Sequence, residues 1–142
     1  MSVEENKALS RQVIEEGFDK GNMALLNELV AGNLVNHDTP PGIPPGIEGL
    51  KQVVGMYRTA FPDLRTTINL QVAEGDKVVT HWTSQGTNKG NLLGMPPTGK
   101  RATITGTTID RIVGGKIVET WTTFDQVGMM QQLGVMPAPG GH

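Results

Sequence analysis

The chain has 142 residues, with 12 Lys and Arg against 14 Asp and Glu, a formal net charge of −2 and no cysteine. That length fits one domain, large enough to bury a core or enclose a single ligand cavity. The lack of cysteine excludes disulfides, thiolate metal ligands and cysteine nucleophiles. The scattered cations exclude polyanion binding, and no apolar run approaches a transmembrane helix. The opening segment MSVEENKALS is acidic and polar, unlike a signal peptide, so a cytoplasmic location is expected.

Ser2 followed by Glu5 has the spacing of a capping box and predicts a helix from about Val3. Leu9, Val13, Ile14 and Phe18 continue it at helical spacing until Gly21-Asn22. Asn22 caps a short second helix, Met23 to Val30. Leu34 to His37 is a short extended piece leading into TPPGIPPG, whose four prolines forbid regular structure. A third helix runs from about Ile47 to Phe61, and Pro62 ends it. Beyond Pro62 the apolar period changes from about 3.6 to 2. Leu64–Val72, Lys77–Thr87, Arg101–Ile112 and Lys116–Thr123 read as strands. Glu74-Gly75-Asp76 and Gly114-Gly115 supply the hairpin turns. A last helix covers Gln126 to Leu133, with Gly134 as its C-cap. The plan is α+β, with helices on one face of a curved antiparallel sheet that closes around a pocket. Residues 1–136 form the domain; PAPGGH at 137–142 reads as a flexible tail, and His142 is given no chemistry.

Several side chains are candidates for chemistry. Asp125, beside Phe124 and Trp121, is either a carboxyl in an apolar pocket, able to take a proton α to a carbonyl, or the N-cap of the last helix. His37, followed by Asp38, is either an acid–base group near neutral pH or an anchor for the proline-rich loop. His81 and Trp82 are adjacent in a strand, so only one of them faces the pocket. Tyr57 continues the apolar face of the third helix and can bring its hydroxyl to the cavity. Thr103, Thr105 and Thr107 share one strand face, and Thr120 and Thr122 share another. One such row would line a hydroxyl-rich pocket and the other a solvent or dimer face. No HExxH, carboxylate–histidine triad or calcium-loop spacing occurs, so no metal site is expected. GxSxG, P-loop and dinucleotide fingerprints are absent.

The phrases LVNHDTPPG at 34–42, AFPDL at 60–64, GDKVVTHWTSQGT at 75–87, GMPPTGKR at 94–101, DRIVGGKIVETW at 110–121 and FDQVGMMQQLG at 124–134 follow one another along nearly the whole chain. In that order the sequence resembles the SnoaL-like polyketide cyclase and ester cyclase family of the nuclear transport factor two-like superfamily. The resemblance implies a cone-shaped, cystatin-like α+β barrel with an internal cavity, and a homodimer formed through the sheet. It implies cofactor-free aldol-type cyclisation, isomerisation or hydrolysis of a ketone, ester or lactone, and a small hydrophobic or polyketide-like ligand. It also gives the strand position of Thr122 a catalytic aspartate, and the neighbouring-strand position of Thr108 a histidine partner. Threonine can donate a hydrogen bond there but cannot act as a base near pH 7. The catalytic candidates are therefore Asp125 and His37, and the ligand-binding candidates Thr122, Tyr57, Trp82, Trp121, Phe124 and Thr108. Two other functions are open to this sequence: non-catalytic binding of a small apolar ligand on the same fold, and a scaffold whose sheet face only mediates dimerisation.

Overall fold

The computed structural model describes residues 2–136. The 137–142 segment, with His142, lies outside the described residues. Helix α1 (Val3–Gln12) opens on the expected capping box: Ser2 Oγ accepts from the Glu5 backbone N–H while Glu5 Oε1 accepts from Ser2 N–H. It runs on as a π-helical turn, Val13–Phe18. Helix α2 (Met23–Leu29) is capped by Asn22 Oδ1 on the Leu25 N–H, and β1 (Val30–Asn36) follows it directly. Helix α3 (Gly46–Ala60) comes after the proline-rich loop. Strands β2 (Arg65–Glu74), β3 (Lys77–Thr87), β4 (Arg101–Val113) and β5 (Lys116–Phe124) form the meander, and α4 (Gln126–Gln132) closes the chain.

The five strands form one sheet in the order β1-β5-β4-β3-β2. β2 to β5 are antiparallel, whereas β1 adds to the edge parallel to β5. The extended piece expected at 34–37 is thus longer and belongs to the sheet. Val35 pairs with Glu119 and Asn36 with Thr120, and the His37 N–H donates to the Thr120 carbonyl at 3.1 Å. Local hydrophobicity could not reveal this, because the pairing is made with a strand some 85 residues later in the chain. Register shifts between Ile68 and Leu70, and between Arg111 and Ile112, mark the irregularities that bend the sheet. The β4–β5 hairpin turns at Gly114-Gly115, both at positive φ (60° and 78°), the geometry that a two-residue turn needs.

α1 and α3 pack across the concave face of this sheet, giving the α+β cone. Two apolar clusters hold it. One joins Leu9 of α1 and Val13 of the π-helical turn to Leu26, Leu50, Val54 and the sheet residues Val78, Ile112 and Ile117. The other seats α4 through Met129, Met130 and Leu133 against Phe61, Leu92 and Ile104. Between them Gly106 on β4 lies under the Trp82 indole. A Cβ at this position would collide with that ring and lie 2.9 Å from Phe124 Cβ. Replacing Gly106 with Ala should therefore lower stability by about 1–3 kcal/mol in urea unfolding, the usual result of overpacking. An unchanged unfolding midpoint would mean that Trp82 is free to move aside.

Candidate functional site

Strand alternation sends every second side chain of β3, β4 and β5 to the concave face. With the π-helical turn, β1 and α3, these side chains enclose a cavity of about 190 Å³. Most of its wall is apolar or aromatic, including Val13, Phe18, Leu50, Val53, Phe61 and Phe124. Beside Tyr57, Thr66, Ser84 and Gln85, polar groups enter it at three places.

The first is Asp110, the inward residue two positions beyond Thr108 on β4. It is 4% exposed. Its Oδ2 accepts from Ser10 Oγ of α1 at 2.9 Å, and its Oδ1 accepts from Thr120 Oγ1 of β5 at 2.8 Å. Burial in this low-dielectric wall disfavours the charged form. It pushes the carboxyl up to about 6 from an ordinary 3.8, although the Thr120 and Ser10 hydroxyls pull the other way. Among the described residues no cationic side chain lines the cavity.

The second is a relay of three donors. Trp82 Nε1 donates to Thr108 Oγ1 at 3.0 Å, and Thr108 Oγ1 lies 3.3 Å from Thr122 Oγ1. An indole N–H only donates, whereas each hydroxyl carries one proton. One proton of the threonine pair joins the two oxygens, so the other remains for a group inside the cavity. Thr108 and Asp110 are separated by roughly 7 Å along the strand. A ligand carbonyl at the hydroxyl pair can thus have its α-carbon at the carboxyl.

The third is the end of β1 and the loop that follows it, where Asn36, Asp38 and Pro40 reach the cavity. Asp38 Oδ2 accepts from the Thr122 backbone N–H at 2.6 Å, just past the end of the β1–β5 pairing.

Of the residues singled out in the sequence, Tyr57, Trp82, Thr108, Thr122 and Phe124 line the cavity together. The Tyr57 hydroxyl is raised by burial, and its ring meets Phe124 edge-on at 6.4 Å. Trp82 faces in; its neighbour His81 points outward, 3.1 Å from Asn69 Nδ2. The remaining candidates are elsewhere. Asp125 follows the last residue of β5, and its Oδ1 accepts from the Gly128 N–H at 2.8 Å as the N-cap of α4. His37 and Trp121 lie on the outer face of the sheet, stacked with ring centroids 4.7 Å apart and planes 4° from parallel. His37 Nε2 sits 2.6 Å from Glu119 Oε2, and Arg111 Nε donates to Glu119 Oε1 at 2.9 Å. Those two bonds hold the Glu119 carboxyl below its ordinary range. The threonine rows divide as the alternation requires: Thr120 and Thr122 face the cavity, and Thr103 and Thr105 are exposed on the opposite face.

Asp110 is the group that the sequence reading missed. Its signal was parity: it shares a strand face with Ile104 and Ile112, both buried, so an acid there had to be inside. Among the described residues no three His, Asp or Glu side chains converge as a metal site would require. No helix among them is long and apolar enough to cross a membrane.

A family model described as SnoaL-like polyketide cyclase matches residues 8–133. The chain is 30% identical over 119 residues to the nogalonic acid methyl ester cyclase of Streptomyces nogalater, covering 82% of this chain and 89% of that protein. Its fold superposes on TsrD of Streptomyces laurentii with a TM-score of 0.87 at 25% identity, covering 96% of this chain and 99% of the other. For IdmH of Streptomyces antibioticus the TM-score is 0.78 at 34% identity, with 91% and 98% covered.

Two stability measurements follow from this geometry. The folded state keeps the Asp110 proton up to about pH 6, whereas the unfolded chain releases it near 3.8. The unfolded state therefore binds fewer protons between those values, and this group's contribution to stability falls as pH rises through that window. The displacement corresponds to about 3 kcal/mol. Asp110→Asn should gain on the wild type between pH 4 and pH 7 by up to about that amount in chemical unfolding; parallel pH profiles would contradict the assignment. Removing the α4 cap with Asp125→Ala should lower stability by about 1 kcal/mol at any pH near neutrality. A loss much below that would mean that Asp125 does not carry the cap.

Proposed function

The chain belongs to the SnoaL-like polyketide cyclase family, and from that premise we propose that its cavity carries out cofactor-independent acid–base chemistry on a polyketide-like ketone, ester or lactone. The observation that carries this reading is Asp110, a carboxyl buried in the cavity wall with its proton affinity raised into the range useful for a base near neutral pH. The carboxylate expected at Thr122 of β5 is supplied from β4 instead.

In the proposed reaction the substrate carbonyl accepts a hydrogen bond from the Thr108–Thr122 pair. Asp110 takes a proton from the adjacent carbon, and the C–H electron pair becomes an enolate whose negative oxygen that hydroxyl stabilises. Where the same molecule carries a second carbonyl, the enolate carbon attacks it. A C–C bond forms, the C=O π pair moves to oxygen, and Asp110 returns its proton there. The carboxylate is regenerated and no oxidant or reductant enters. Ser10 and Thr120 hold the carboxyl in one orientation, and the aromatic wall limits water. The outer sheet face would carry the homodimer contact, and the cytoplasm is the proposed location.

A second reading, a non-catalytic ligand-binding protein on the same fold, has one observation in its favour. Each Asp110 oxygen already accepts a hydroxyl proton, as in a carboxyl kept for structure alone. Deuterium incorporation at the α-carbon of α-tetralone in deuterium oxide separates the two. The enzymatic reading expects exchange above the buffer rate that falls at least about 100-fold in Asp110→Asn and survives in Asp125→Asn. Binding without exchange in the wild type would support the carrier and overturn the enzyme.

A further inference from the structure

We propose that Asp38 is a specificity-determining residue at the cavity mouth, reading a hydrogen-bond donor, O–H or N–H, on the bound ligand. The inference rests on the cavity being the ligand site and concerns which ligand it accepts. Asp38 lines the cavity yet is exposed, so it stands where the cavity opens. Its backbone is fixed by its own N–H, which donates to Asn36 Oδ1 at 3.0 Å, and its Oδ2 is fixed by the Thr122 N–H at 2.6 Å. Its Oδ1 takes no hydrogen bond from any described residue. One carboxylate oxygen is therefore anchored and the other is an oriented, open acceptor.

The electrostatics narrow what can meet that oxygen. Among the described residues Asp38 and Asp110 are the charged side chains of the lining, and no Lys, Arg or His accompanies them. A ligand carboxylate at the mouth would face like charge with nothing to neutralise it, whereas a neutral hydroxyl, an amine or an ammonium is matched. Deeper inside, the spare proton of the Thr108–Thr122 pair calls for an acceptor. The ligand that satisfies both ends enters carbonyl first and leaves a hydroxyl or amino group at Asp38. A carboxylate serving only to finish the β1–β5 edge would impose no such preference.

The conservative variant separates these roles. In Asp38→Asn the amide oxygen can still accept the Thr122 N–H, so the edge contact is kept, while the free atom becomes a donor. Calorimetric binding of para-hydroxyacetophenone and para-methoxyacetophenone to the full chain reads the change, and para-aminoacetophenone tests the N–H source. The wild type should bind the hydroxy or amino compound at least about tenfold more tightly than the ether, as expected for a hydrogen bond to a charged acceptor. Asp38→Asn, with its Tm near the wild type's, should lose or reverse that preference. Equal affinities in the wild type, or an unchanged preference in Asp38→Asn, would overturn the assignment while leaving Asp110-dependent exchange untouched. Failure of all three compounds to bind would overturn it together with the cavity as ligand site.

Discussion

Burying a carboxyl group costs free energy unless its oxygens are given partners, and here the partners come from two different elements. Ser10 on α1 and Thr120 on β5 both donate to Asp110 on β4. The cluster therefore ties the first helix to the middle of the sheet at the depth where the cavity begins. Hydroxyls satisfy the carboxyl's geometry without neutralising its charge, and that incomplete compensation leaves its proton affinity raised. A salt bridge in its place would have made a quieter core and a weaker base. A group held this way is what the proposed reaction asks of its base.

The division of labour between the two sheet faces follows from the same alternation. On the concave face β4 and β5 deliver Thr108, Asp110, Thr120 and Thr122. On the other face the positions between them deliver Arg111, Glu119 and Trp121, which meet His37. His37 and Asp38 are adjacent in sequence and go to opposite sides of β5. One stacks on the outer Trp121 and the other accepts from the Thr122 backbone at the cavity mouth. The start of the proline-rich loop is thereby gripped from both sides.

Much of this architecture was legible in the sequence because local physics dictates it. The capping box at Ser2, the stop at Pro62, the change of period after it and the Gly114-Gly115 turn place helices and strands within a residue or two of where they fold. The parallel addition of β1 was not legible, since it depends on a partner strand far along the chain. The site was half legible. Tyr57, Trp82, Thr108, Thr122 and Phe124 were picked as ligand contacts and do share one cavity. A carboxyl in an apolar pocket is the physical criterion for a base, and sequence adjacency to Trp121 and Phe124 directed it to Asp125. The strand ends one residue before Asp125, so its side chain turns to the α4 N-terminus. Asp110 meets the criterion through contacts with Ser10 and Thr120, the first of them a hundred residues away.

One carboxyl in the cavity, that of Asp110, holds its proton far above the ordinary range. Carbon-13 NMR of aspartate side-chain carboxyls across a pH series tests it directly. One resonance, missing from the Asp110→Asn spectrum, should titrate with a midpoint near 6 and shift when the cavity is filled. If the Asp110 signal titrates with the exposed aspartates near about 4, the carboxyl is neither desolvated nor poised as a base, and the account fails.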